Sequence, residues 1–323
     1  MEDRFIPRDV RLQITNRCNL KCNHCFTNGG VSFSNELSTT EVISLLYELK
    51  NAGTEMVTIT GGEPLVVRDK ALAAIREGVR LDFKMNLNTN ATLIDEATGK
   101  AFGDAGVHTI MVGMDGRPER HEALRGAKGC FEKTIRGIKN AQAECIAIRF
   151  TMTKDNIGDL LFMIKLSEEL GVDKFVIKPF IPSGRGEEHV ELMPSSEEQR
   201  NAMKMLLELE KDLSLKIEYL MPCFEFLLVD KKPEPCNCGS ELMFISADGS
   251  IKPCGYFNAV LGNVRTDNIK SLWQNHPLLR EIRTVEPEGC QGCIHVHSCR
   301  GGCIAHTYNR FGNVGRKDVY CFR

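Results

Sequence analysis

Apolar and polar residues alternate over residues 10–15, with Val10, Leu12 and Ile14 on one side. This two-residue period is that of a strand. The period then changes. Ser38-Thr39-Thr40-Glu41 has the form of a capping box. Val42, Leu45, Leu46 and Leu49 follow at helical spacing, and Gly53 is a stop. From there short apolar runs and helical runs take turns. Residues 56–60, 83–87, 109–113, 146–151 and 174–177 read as strands. Residues 71–79, 93–102, 130–143 and 159–170 read as helices, the third with Phe131, Ile135 and Ile138 on one face. That makes six strands, each of the first five followed by a helix.

Such alternation implies a parallel sheet with right-handed crossovers. Six units fall short of a closed eight-stranded barrel, so the expected fold is α/β: an open, partial (β/α)6 barrel. Chemistry in such barrels sits on the loops after the strands' C-terminal ends. After Lys178 the pattern breaks at Pro179, Pro182, Gly184 and Gly186. A polar-faced helix is expected over 197–212. Beyond Pro222 periodicity fades and cysteines return. Two domains are expected, a barrel over 1–220 and a small cysteine-rich domain over 221–323.

Composition narrows the class. A chain of 323 residues suits about two domains. Forty-one basic and 43 acidic side chains give a formal net charge of −2, which argues against a dedicated nucleic-acid binder. No apolar run approaches the ~18 residues of a membrane span, and Met1-Glu2-Asp3-Arg4 does not begin a signal peptide. The chain has fourteen cysteines, and the clustered ones therefore read as metal ligands rather than disulfides. An oxygen-sensitive, soluble cytoplasmic protein is expected.

The first cluster is Cys18-x3-Cys22-x2-Cys25, directly after the first strand. A cubane iron–sulfur cluster normally takes four thiolates. Three leave one iron open to a substrate or cofactor. The bland alternative is zinc held by the same cysteines and His24.

The run Thr15-Asn16-Arg17-Cys18-Asn19-Leu20-Lys21-Cys22-Asn23-His24-Cys25 resembles the cluster loop of the radical S-adenosylmethionine (SAM) enzymes, and Gly61-Gly62-Glu63-Pro64 continues the resemblance. It implies that the open iron chelates SAM and that an electron cleaves SAM to a 5′-deoxyadenosyl radical, which abstracts hydrogen from an unactivated C–H bond. It places Gly61, Gly62 and Glu63 at the methionine amine of SAM, where the glycine pair would leave amides free to donate. Asn88-Thr89-Asn90 matches a polar turn after the third strand, and Gly113-Met114-Asp115-Gly116 a turn after the fourth, where many relatives have serine at the position of Gly113. Arg125 is a candidate for the SAM carboxylate, in the bidentate geometry arginine favours; Arg149 is a second. His24 stands where relatives carry an aromatic near adenine, so packing there is favoured over ligation.

The tail carries Cys236-x-Cys238, Cys254, Cys290-x2-Cys293-x5-Cys299-x3-Cys303 and Cys321. It is similar to the SPASM domain, which holds two auxiliary four-iron clusters. Ser246-Ala247-Asp248-Gly249-Ser250 matches its hairpin, where Asp-Gly is a turn signal in its own right. The resemblance implies Cys236, Cys238, Cys254 and Cys303 on one cluster, with Cys223 able to replace either of the first two. It implies Cys290, Cys293, Cys299 and Cys321 on the other. Three [4Fe-4S] clusters and SAM are thus the expected cofactors. Cys130 and Cys145 are expected in core packing, and His295 and His297 in roles beside the ligands.

Three functions follow from the resemblance. The first is modification of a ribosomally made peptide by crosslinking, oxidation or epimerisation. The second is oxidative decarboxylation of a haem precursor, because relatives of that group share Pro182-x-Gly184-Arg185 and Cys299-Arg300-Gly301-Gly302-Cys303. The third, from another class, is a non-catalytic iron–sulfur protein, which would not need Gly61-Gly62-Glu63-Pro64. Gly255 after Cys254 argues against a sulfatase-maturing enzyme, whose aspartate there takes a proton. Only residues 1–9 precede the first strand, so a peptide is expected to be captured by a separate leader-peptide-binding protein or by the cleft itself. A reductant such as flavodoxin or ferredoxin is the other expected partner.

Overall fold

The computed structural model describes residues 5–210, 213–220 and 236–321. Strands β1 (Asp9–Gln13), β2 (Met56–Thr60), β3 (Lys84–Thr89), β4 (Thr109–Gly113), β5 (Cys145–Met152) and β6 (Lys174–Pro179) lie side by side in chain order, all parallel. Helices α1 (Thr39–Asn51), α2 (Arg68–Arg80), α3 (Glu96–Asp104), α4 (Pro118–Arg125), α5 (Cys130–Asn140) and α6 (Leu160–Glu169) connect them. The capping box at Ser38 is present. The Ser38 hydroxyl accepts from the Glu41 amide at 3.2 Å, and Glu41 reaches back to the Ser38 amide at 2.8 Å. Val42, Leu45, Leu46 and Leu49 are buried below it.

Two differences from the sequence reading concern extent. Helix α4 lies between β4 and β5, where only one helix is expected. Its sequence, Pro-Glu-Arg-His-Glu-Ala-Leu-Arg, has almost no apolar period. It is set instead by Pro118 in its first turn and Gly126 as a left-handed cap at φ +68°. The sheet also runs past six strands. After α7 (Ser196–Leu209), β7 (Lys216–Tyr219) adds to β6, and β8 (Leu242–Ile245) adds to the other edge beside β1, both parallel. Then β9 (Ser250–Lys252) and β10 (Gly262–Asn263) turn back antiparallel, giving a ten-stranded sheet. The cysteine-rich tail thus continues the barrel sheet before its helices α8 (Ile269–Asn275), α9 (Pro277–Thr284), α10 (Val296–Cys299) and α11 (Ile304–Phe311).

Pleating decides what the two faces carry. Val10, Leu12, Val57, Ile59, Met85, Leu87, Ile110, Val112, Ile148, Phe150, Phe175 and Ile177 are buried in the main core. The alternate positions, held in line by the parallel register, include polar pairs among small or apolar residues such as Ala147 and Val176: Thr58 opposite Asn86, and Thr151 opposite Lys178. Gly113 lies opposite Arg149. A polar stripe continues across the strands on the face away from this core. The hydroxyl of Thr58 and the side-chain oxygen of Asn86 are buried there without a protein partner, a cost that solvent or a ligand would relieve.

Candidate active site

The loop after β1 carries Cys18, Cys22 and Cys25. The amides of Leu20 and Gly29 point at the sulfurs of Cys18 and Cys25, at 3.4 and 3.3 Å. Burial pushes the Cys18 thiol up to about 11 and the Cys22 thiol up to about 12. Such thiols become thiolates only with strong positive compensation, which an iron cluster supplies. Amides aimed at sulfur are the support an anionic cluster would use. Among the described residues no three His, Cys, Asp or Glu side chains converge closely enough to hold a single metal ion. The three cysteines, with amides aimed at two of their sulfurs, are the side chains that would hold an iron–sulfur cluster.

Two cavities flank this loop. The larger, about 770 Å³, is an open hollow on one side, lined by Cys18, Lys21, Val31, Phe33 and Arg185 among others. The smaller, about 100 Å³, is the chemical one. It gathers all three cysteines with His24, Gly61, Gly62, Glu63, Asn88, Arg125, Arg149 and Lys178.

The residues named from the sequence take differing parts there. The Gly62 and Glu63 amides are not free donors; they bond the Thr15 and Arg17 carbonyls at 2.8 Å each. A Cβ on Gly62 would overlap the Arg17 carbonyl, so the glycine is required by close approach of the cluster loop. The buried Glu63 carboxylate accepts from the Thr89 hydroxyl at 2.7 Å, the Asn90 amide at 2.8 Å and the Leu65 amide at 3.0 Å. It ties the loop after β2 to the loop after β3. Asn88 lines the cavity beside it.

Arg125 is occupied by Asp115. Its Nε and Nη2 donate to one Asp115 oxygen at 3.0 and 2.5 Å. The other Asp115 oxygen accepts from the Thr151 amide at 2.8 Å. Burial alone would raise the Asp115 pKa, but Arg125, then His24 and His121, outweigh it and hold the carboxyl well below its usual range. The guanidinium also fills the space beside Gly113, where a Cβ would overlap Nη2. That is the physical reason for glycine there. His24 lies 3.4 Å from Asp115 through Nε2, and its Nδ1 is buried without a partner. Burial lowers its pKa to about 3, and that of His121 likewise. Both are therefore neutral at pH 7, and His121 accepts from the Asp115 amide at 3.1 Å.

Arg149 and Lys178 were the less visible members. Arg149 is a candidate from the resemblance and Lys178 is not named as a site residue from the sequence; each occupies an alternate position of a strand whose other face is apolar, a signal that could have found Lys178. Among the described residues neither forms an ion pair with a carboxylate. The partner of Lys178 is the Tyr256 hydroxyl. Burial, then Arg149, lowers the Lys178 pKa to about 7. Arg185, in the loop after β6, spends its guanidinium on the Cys22 and Gly29 carbonyls at 3.0 and 2.7 Å. It braces the cluster loop.

In the tail, Cys236 and Cys238 share a hydrogen bond, which lowers Cys236 to about 7, while Cys238, bonded in turn to Cys254, is raised. Burial raises Cys303, which also feels Cys236 and Cys254. These four thiols form one neighbourhood. Cys290, raised by burial, feels Cys321, Cys299 and Cys293 in a second. Cys223 lies outside the described residues. Cys130 is a buried first residue of α5, and Cys145 is half-buried at the start of β5. The Asp318 carboxylate accepts from the Cys303 amide at 2.7 Å and meets His306 at 3.0 Å. Gly255 has no room for a side chain, since a Cβ would lie 2.6 Å from the Phe26 ring. No helix among the described residues is long and apolar enough to cross a membrane.

Comparison with known proteins agrees with this geometry. A model of the radical SAM superfamily matches residues 12–167, and one of an iron–sulfur cluster-binding domain, SPASM, matches residues 236–294. An AdoMet-dependent heme synthase of Methanosarcina barkeri is 28% identical over 342 residues, covering 98% of this chain and 96% of the relative. The mycofactocin maturase MftC of Mycobacterium ulcerans is 28% identical over 320 residues, covering 94% of this chain and 84% of the relative. Streptococcus suis SuiB, solved with bound S-adenosylmethionine, shares the fold at a TM-score of 0.81 and 18% identity, over 98% of this chain and 78% of that one.

Proposed function

The chain is a radical SAM enzyme with a C-terminal SPASM iron–sulfur domain, and from that premise we propose that it oxidatively decarboxylates a haem precursor. The observation that carries this reading is the pair of basic side chains, Arg149 and Lys178, facing one cavity, where among the described residues neither is ion-paired and the acids nearby, Glu63 and Asp115, are bonded to other groups. Half-buried cations of this kind are costly unless anions join them. SAM brings one carboxylate. A second cation calls for a second carboxylate, and a haem precursor carries several propionates. The heme synthase from Methanosarcina barkeri, matched over nearly the whole of both chains, supports the same substrate class.

When bound, the cluster and SAM would supply a 5′-deoxyadenosyl radical, able to take a hydrogen atom from the propionate carbon β to the carboxylate, so that CO2 would leave, a vinyl group would remain and the one electron released would need an iron–sulfur acceptor. The chain's own residues prepare this. Cys18, Cys22 and Cys25 hold the first cluster. Glu63 and Arg185 fix the loops around it. Arg149, whose guanidinium has no hydrogen-bond or ion-pair partner among the described residues, takes the SAM carboxylate in place of Arg125, while Gly61, Gly62 and Asn88 shape the wall against the methionine end. His24, Asp115 and Arg125 form the rigid floor. Cys236, Cys238, Cys254 and Cys303 hold one auxiliary cluster and Cys290, Cys293, Cys299 and Cys321 the other, three clusters in all. A cytoplasmic flavodoxin or ferredoxin supplies electrons.

The test is anaerobic incubation of the reconstituted, reduced enzyme with SAM and iron coproporphyrin III. Loss of CO2 from the porphyrin with matching 5′-deoxyadenosine is expected. SAM cleavage with the porphyrin unchanged would refute it. Peptide modification is the second reading, supported by the MftC relative. Turnover of a precursor peptide encoded beside the gene, alone or with a leader-peptide-binding protein, would establish it instead.

A further inference from the structure

Lys178 stands where the barrel meets the tail. It ends the inward row of β6, and its ammonium lies over two rings, 4.8 Å from the centroid of Tyr256 and 5.8 Å from that of Phe26. Its hydrogen bond goes to the Tyr256 hydroxyl. Tyr256 is itself tightly placed. Its carbonyl accepts from the Ser183 hydroxyl at 3.1 Å and from the Asn309 side-chain amide at 2.7 Å. Its ring packs on Phe26 with centroids 5.0 Å apart. Contacts from the barrel, the cluster loop and the last helix thus converge on one phenol, which aims one ammonium into the cavity.

A lysine held in this way is ready for an anion. An ammonium has three donors, and the phenol takes one. The Asp115 carboxylate, whose charge Lys178 feels, is already engaged by Arg125, and Glu63 by Thr89 and Asn90. Arg149 shares the cavity and suits a planar carboxylate better than a point charge does, which leaves Lys178 for the second anion. Phe26 supplies an apolar wall of the cavity beside it, so the ligand is an organic acid rather than a small inorganic ion.

Resting on the reading above, we propose that Lys178 is the specificity-determining residue that anchors a substrate carboxylate, with Tyr256 as its positioning residue. The carboxylate bound there sets which carbon is presented to the cleaved SAM.

The experiment measures binding, by equilibrium dialysis with SAM present, of iron coproporphyrin III and its tetramethyl ester to the reconstituted holoenzyme. One charge-assisted hydrogen bond changes affinity about 10-fold or more. The wild type is expected to prefer the acid by at least that factor. Lys178→Met is expected to bind acid and ester alike, and Lys178→Arg to keep much of the preference. Tyr256→Phe is expected to raise KM for the acid several-fold more than it lowers kcat. Equal binding of acid and ester by the wild type, binding of neither, or full preference in Lys178→Met would each overturn the proposal. A loss of SAM affinity in Lys178→Met matching the loss for the acid would also overturn it, by moving Lys178 into the SAM site. Acid preference that depends on Lys178 but leads to no decarboxylation would sink the proposed reaction and leave the anchor standing. Decarboxylation unaffected by Lys178→Met would do the reverse.

Discussion

The Asp115–Arg125 pair is the most exacting test of how this site is built. Asp115 is fully buried and the Arg125 side chain is only 9% exposed. The bonds at 3.0 and 2.5 Å use one carboxylate oxygen, and the Thr151 amide uses the other. Asp115→Asn keeps the shape and an acceptor for Thr151, but removes the charge facing the guanidinium. Breaking one side of a buried pair costs about 3–5 kcal/mol, because the other charge is left uncompensated. Arg125→Met should cost a similar amount by stranding the carboxylate. The double variant leaves no unpaired charge, so its cost should fall short of the sum by about 2–3 kcal/mol. Anaerobic urea denaturation of the reconstituted enzyme, followed by circular dichroism, supplies the three values. The sign with pH follows from the depressed Asp115 pKa. The carboxylate's contribution is present above the unfolded value near 4 and is lost as pH falls below it, so the Asp115→Asn penalty is full at pH 7 and shrinks in acid. Single variants each costing under ~1 kcal/mol, or costs that add without coupling, would refute the reasoning.

Other expectations follow from single features. Gly137→Ala should destabilise by about 1–3 kcal/mol or more, read by thermal unfolding, because a Cβ there would overlap the Ala91 carbonyl. Replacing Cys18, Cys22 and Cys25 together by alanine should remove about four of about twelve irons and abolish SAM cleavage, measured by iron analysis and 5′-deoxyadenosine release. Stability should fall between pH 7 and 5, since the unfolded chain takes up a proton that buried His121, with its pKa lowered to about 3, does not. Each such histidine accounts for about 2 kcal/mol over that span, and urea titrations of His121→Asn should show a shallower slope. Glu63→Gln should weaken SAM binding several-fold in isothermal titration, because three donors lose an anionic acceptor and the loops after β2 and β3 loosen.

What the sequence showed and hid divides along physical lines. The strands of the barrel were legible because the outer face of each must be apolar to pack under helices, so alternation marks them. The cluster loop was legible because cysteine spacing is a local property. Helix α4 was hidden because Pro118 and Gly126 set it, not a buried stripe. The roles of Arg125 and Arg149 could not be ranked, since nothing local says that Asp115, ten residues before Arg125, would claim its guanidinium. Lys178 was present at a regular alternate position, but a lysine at a strand end is usually a solvated charge; only the packing of Tyr256 and Phe26 against it shows that this position faces the cavity.

The strand order explains how that inward position comes to matter. β8 pairs with β1 in register, Val10 beside Met243 and Leu12 beside Ile245. This covers an edge that would otherwise stay open. The same pairing fixes where the chain goes next. β9 turns back beside β8, and the segment after it carries Cys254, Gly255 and Tyr256. Phe244 of β8 and Phe26 of the cluster loop close around Gly255, with their rings 6.0 Å apart. A side chain at Gly255 would push the tail away from the cluster loop and draw Tyr256 off Lys178. The glycine, the edge pairing and the phenol–ammonium bond therefore act as one device. Covering the β1 edge brings the tail segment that carries Cys254 and Tyr256 against the barrel's cation at the rim of the cavity.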